Sequence, residues 1–158
     1  MALDHFISPT APDEAAMAVR LGAGSGTSNQ VDTKEVGKIV KLAGESRYDL
    51  AVAGDNIEAL IYAVEMAPQN GYSIGSVYCE GRARVTFDGL QATPGVGVIS
   101  VGDWVVAGTQ VPKGTALTTY PKVCKATSQG TQQYLWRVLS LGPVGTGAVG
   151  TVGVIGRD

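Results

Sequence analysis

From Val31 to the C-terminus, apolar residues recur in short runs rich in β-branched side chains, each broken by Gly, Pro, Asp or Asn. Runs of roughly four to eight residues bounded in this way read as strands rather than helices. They cover residues 36–42, 48–52, 59–66, 73–79, 83–87, 97–100, 104–107, 123–126, 134–139 and 149–155. The stretch from Asp55 to Val64 suits a helix as well as a strand buried on both faces, and the strand reading is favoured. Asp88-Gly89, Asn70-Gly71 and Pro94-Gly95 supply glycines that can take the positive φ of tight turns. So many short strands predict an all-β antiparallel domain, a small barrel or a sandwich.

Residues 1–30 have a different texture. Ser8-Pro9-Thr10-Ala11-Pro12 leads into Asp13-Glu14, where a helix of at most two turns could start, and Gly22, Gly24 and Gly26 then end regular structure. The expectation is an extended N-terminal arm over 1–30 and a β domain over 31–158. The arm is either a frayed tail or a segment that docks on a neighbour. In the docking case Leu3, Phe6, Ile7, Met17, Val19 and Leu21 would make the contact.

Composition sharpens this picture. The 158 residues fit one domain, and 44% apolar content is enough for a core. Only 16% of residues are charged, against roughly 25% in an average globular protein. So little charge implies that part of the surface is covered by a partner or by copies of the chain. The net charge is −2 with no block of Lys or Arg, so direct nucleic-acid binding is not expected. Cys79 and Cys124 are too few for a secreted disulfide framework and read as buried reduced thiols. The N-terminus shows no basic region followed by an apolar run, and no apolar stretch reaches the roughly 18 residues of a membrane span. The expected setting is the cytoplasm or an assembly built there, with no membrane contact.

Candidate chemistry is sparse. Gly145-x-Gly147-x-x-Gly150 matches the dinucleotide-binding string, but that motif must open a helix, and too little chain follows for one. A phosphate-binding G-x-x-x-x-G-K-[ST] loop is absent from the sequence. His5 is the sole histidine and lies in the arm, a poor support for a catalytic triad. Neither cysteine has a Cys or His near it in sequence, so zinc is not expected. Asp55, Glu58, Glu65, Glu80, Asp88 and Asp103 lie near strand ends and are the acids from which a catalytic pair would have to come. Gly102-Asp103-Trp104-Val105 resembles segments of biotinyl and lipoyl carriers, yet Lys113 lacks their Met-Lys-Met signature and reads as a solvated turn lysine. Trp104 and Trp136 read as core or interface anchors. No enzymatic activity and no cofactor are expected.

Three stretches carry a family resemblance. Val36-Gly37-Lys38-Ile39-Val40-Lys41-Leu42-Ala43-Gly44, with Tyr48-Asp49-Leu50 and Gly54-Asp55-Asn56-Ile57-Glu58-Ala59 behind it, is similar to the opening of the decoration, or cement, proteins of tailed-phage capsids. Val101-Gly102-Asp103-Trp104-Val105-Val106-Ala107-Gly108 resembles their central strand. Trp136-Arg137-Val138-Leu139-Ser140-Leu141, a Gly/Thr-rich loop and a last Val/Ile strand resemble their ending. The resemblance spans about residues 31–158, and none of its motifs is as specific as a metal site. It implies a small β-barrel or tulip-like domain, assembled as a homotrimer on the outer capsid surface of a virion built in the host cytoplasm. The implied partner is the phage major capsid protein, whose subunits the arm would bridge to stabilise the head. A tail, fibre or adhesin-type β module binding a host ligand is the competing expectation.

Overall fold

The computed structural model describes residues 16–22, 31–45, 47–67, 72–127 and 134–157. They form an all-β protein, as the run pattern predicts, with one short 3₁₀ turn at Thr33–Glu35. The first group of strands is β1 (Ala16–Leu21), β2 (Ile39–Gly44), β3 (Arg47–Leu50), β4 (Ala59–Ala67) and β5 (Tyr72–Tyr78). Their pairing runs β1–β3–β2–β4–β5 and returns to β1, so the sheet closes on itself. The β1–β3 pair is parallel, with Arg20 opposite Arg47 and Leu21 opposite Tyr48, and the other pairs are antiparallel.

This ring corrects the expected boundary at residue 30. Ala16–Leu21 is a strand that pairs with β5 along its whole length, from Ala16 opposite Tyr78 to Leu21 opposite Ser73. Val19 and Leu21 point inward and are buried, while Ala18 and Arg20 point out. The segment does own a core, because Val19 and Leu21 pack with Val31, Val40, Tyr48, Ala59, Ile61, Val64 and Val77. A close approach holds the ring shut. A Cβ on Gly75 would overlap the Ala63 carbonyl oxygen and stand 2.7 Å from Leu21 Cδ1, so only glycine lets β4, β5 and β1 meet there.

The second group is β6 (Gly81–Leu90), β8 (Val105–Ala107), β9 (Lys122–Lys125), β10 (Arg137–Ser140) and β12 (Val152–Arg157), in the order β10–β12–β6–β9–β8. The β6–β9 pair is parallel. The two outer strands are tied together as well. Trp104 bridges Arg137, the Val105 N–H donates to the Trp136 carbonyl at 3.1 Å, and the Val138 N–H donates to the Asp103 carbonyl at 2.9 Å. A two-stranded sheet, β7 (Val98–Ser100) with β11 (Thr146–Ala148), completes the fold.

Strict alternation along β6 sends Ala83, Val85 and Phe87 into the main core and Arg82, Arg84 and Thr86 outward. That core also takes Val105, Ala107, Val123, fully buried Trp136, Val138 and Ile155 from this sheet, and Ile39, Ala51, Ile57 and Leu60 from the first. One core therefore joins the two strand groups.

Candidate functional site

The residues with chemical potential are spread out and engaged in structure. Asp55 accepts the Val52 N–H at 2.8 Å and pairs with Lys41 at 2.8 Å. Asp103 accepts the Ser100 N–H at 2.8 Å and pairs with Lys125 at 2.9 Å. Asp88 accepts the Thr109 N–H at 2.9 Å and pairs with Lys122 at 3.3 Å. Burial alone would raise the Asp88 pKa, but the Thr109 bond and the Lys122 ammonium outweigh it and hold the carboxyl below its ordinary value. These three acids fasten turns. Glu65 and Glu80 are exposed and Glu58 is half-buried.

Both cysteines are free thiols. Burial, reinforced by Asp88, pushes the Cys124 thiol up to about 11, and burial likewise raises Cys79. Cys79 lies 3.9 Å from the Tyr48 hydroxyl, whose own pKa burial pushes up to about 12. Thiols shifted in this direction are poor nucleophiles near neutral pH. Among the described residues no three His, Cys, Asp or Glu side chains gather as a metal site would require. The Gly145–Gly150 string holds strand β11, which the glycine-rich sequence had suggested was a loop.

One buried ion pair is absent from the sequence-level expectations. Glu35 and Lys38 are fully buried and form a salt bridge to each other. The Lys38 ammonium donates to the Pro112 carbonyl at 3.0 Å, and the Glu35 carboxylate accepts the Gly114 N–H. The pair thus pins the turn at 112–115 against the entry to β2. Beside this latch lies a cleft of about 490 Å³, walled by Ile39, Leu50, Ala51 and Val52 on one side and by Thr109, Gln110, Val111 and Pro112 on the other. Lys113 sits on the exposed turn at its rim.

The surface carries a clearer signal. Large exposed hydrophobic side chains among the described residues are Leu42, Val52, Ile74, Val96, Val98, Val101, Val144, Val149 and Val152. Val96, Val98, Val101, Val144 and Val149 flank or belong to the β7–β11 sheet, while Val152 lies on the outer face of the second sheet opposite Thr86. Pairing sets exposed Val98 opposite exposed Ala148, while Ile99 on the other face enters the core. The Val101 N–H donates to the Gly145 carbonyl at 3.1 Å, which brings Val101 next to the Val144 turn. Val144 is 78% exposed and Val96 65% exposed. Two uncharged stretches of sequence, 89–102 and 138–156, meet here through β7 and β11. A patch of valines with no ionised neighbour in its own strands is the kind of surface that marks an interaction site.

Of the residues expected to make arm contacts, Val19 and Leu21 are core residues of their own chain and are not on offer to a neighbour. Met17 belongs to β1, and Leu3, Phe6 and Ile7 lie outside the described residues, as does His5. Trp136 is a core residue, and Trp104 packs half-buried against Val106, Cys124 and Tyr134. No known protein-family model matches this chain, and no curated protein is similar to it in sequence.

Proposed function

We propose that this chain is a non-catalytic structural module that decorates the outer surface of a phage capsid, contacts subunits of the major capsid protein, and assembles as a homotrimer. The observation that carries this reading is the uncharged valine face on β7 and β11. Desolvating five exposed valines is favourable at roughly 25 cal/mol per Å² of apolar surface, with no ion to strip of water. A face without charge also suits contact around a rotation axis, where each side chain meets copies of itself and an ion would repel its own mates. A trimer offering three such faces would hold a shell through linked weak contacts, each raising the effective concentration of the next. The resemblance of residues 31–158 to decoration proteins points the same way.

The cleft beside the 112–115 turn favours a second reading, a tail, fibre or adhesin-type module that takes a host ligand there. Co-sedimentation with expanded phage heads separates the two. The full chain is expected to saturate the heads at a fixed copy ratio. A Val98→Glu/Val144→Glu variant is expected to lose binding, since each glutamate would have to be desolvated. A Leu3→Ser/Phe6→Ser/Ile7→Ser variant tests the arm without touching β1, which a truncation at residue 30 would delete. Absence of binding by the intact chain, together with a monomer in solution, would overturn the capsid role.

A further inference from the structure

The outer face of the second sheet gathers cations that the sequence keeps apart. Directly opposed residues share a face of a sheet, and the register sets Arg137 opposite Gly156 and Gly156 opposite Arg82. Two residues further along β6, Arg84 faces outward opposite Val154. On the far side Lys122 is opposite Thr86 and projects from the same face. Arg82, Arg84, Lys122 and Arg137 are all exposed. The acid that reaches this face from the paired strands is Asp88, held by Lys122. A chain of net charge −2 thus builds one cationic face over half-buried Val154.

We infer that this face is a docking surface for an acidic, extended polypeptide segment of a partner protein. Three of its four cations are arginines, whose planar forks match carboxylates in bidentate pairs. Arg82 and Arg84 are two residues apart on one strand, a spacing of about 6.7 Å. Alternate side chains of an extended peptide repeat at that same distance, so acids at every second position would meet both. Gly156 contributes no side chain between Arg137 and Arg82, and half-buried Leu139 folds over it, so that a low apolar strip of Leu139 and Val154 separates the cations along β12. Nucleic acid fits less well. Single strands are held by successive aromatic platforms, whereas this face brings one described ring, Tyr120, whose hydroxyl accepts from Arg84 at 3.4 Å, and the side chains between the arginines are Leu139 and Val154. The inference stands apart from the capsid reading, since it concerns a different face and any acidic partner.

Fluorescence anisotropy with two labelled probes, a peptide of alternating Glu and Thr and an oligothymidine of equal charge, tests it on the full chain. The peptide is expected to bind, to weaken at least about tenfold in Arg82→Glu/Arg84→Glu, and to be released by salt. Lys34→Glu, an exposed change on the 3₁₀ turn that precedes β2, should leave binding intact. Oligothymidine binding as tight as the peptide's would overturn the inference in favour of phosphate recognition. No peptide binding would also overturn it. If in that case Arg82→Glu/Arg84→Glu abolished self-association by sedimentation, the occupant would be a second copy of this chain. Circular dichroism of each variant separates lost binding from lost fold.

Discussion

Cys124 shows how one side chain can record the fold in its titration. It is buried among Val106, Tyr134, Trp104 and Ala126, and its thiol is pushed up to about 11. An unfolded thiol titrates near 9. Because the fold favours the protonated thiol, the stabilisation is complete below about pH 9 and lost as pH climbs toward about 11. Thermal midpoints measured from pH 7 to 11 are expected to fall, and Cys124→Ala should remove part of the slope, up to about 2 kcal/mol at the alkaline end. Cys79 and Tyr48 keep the remainder, Tyr48 acting in a higher window toward about 12. Asp88 works with the opposite sign, since its lowered pKa gives stability that is lost as pH falls below the ordinary carboxylate range. Asp88→Asn should flatten the acid limb.

At the scale of elements, the Glu35–Lys38 latch is the interaction most exposed to single changes. Removing one partner leaves a buried charge uncompensated, which costs roughly 3–5 kcal/mol, whereas replacing both by apolar groups of similar volume is close to neutral. Urea denaturation of Glu35→Leu, Lys38→Met and the double variant should therefore show two large losses and a small one. Hydrogen exchange at 112–115 should rise in the single variants. Nothing in the sequence marked this pair, because an acid and a lysine three residues apart are ordinarily solvated and the Gly114 contact that Glu35 makes lies about 80 positions away. The strands were far more legible. Each predicted run overlaps one, since β-branched alternation bounded by glycine and asparagine is a local property. Asp55–Val64 becomes a strand only at Ala59, because Asp55 is spent on a turn with Val52. Asp88-Gly89 is not a hairpin turn. It lies inside β6 where the pairing with β9 shifts register, and Gly89 takes φ 113° at that irregularity, whereas Gly95, at φ 82°, does sit in a turn. The two missed strands were masked by composition. Met17, Val19 and Leu21 alternate as a strand should, but Pro12-Asp13-Glu14 ahead of them imitates a helix start, and β11 is written in glycine and threonine.

For the whole molecule, the decisive feature is that the main core draws on both strand groups. Unfolding is therefore expected to be one cooperative transition, with tryptophan fluorescence and far-ultraviolet circular dichroism giving the same midpoint. Phe87→Ala, which empties part of that core, should cost about 3–5 kcal/mol and move both signals together. The valine and arginine faces could not be read in advance, because both exist only through pairing. Positions 82, 84, 122 and 137 become neighbours across β12, β6 and β9, as 96–101 and 144–149 do across β7 and β11. The ring of β1 to β5 and the stitch from Trp104 to Arg137 have a further consequence at high concentration. Where β3 runs past the end of β1, the Leu50 N–H is taken by the Asp49 carboxylate. Among the described strands β2 reaches β4 only at Leu60 and Ala59, so β4 from Ala63 onward, with the three-residue edges of β7 and β11, is where a stray chain could template a fibril. In a polypeptide with so little charge, these edges are where crowded copies would first meet backbone to backbone.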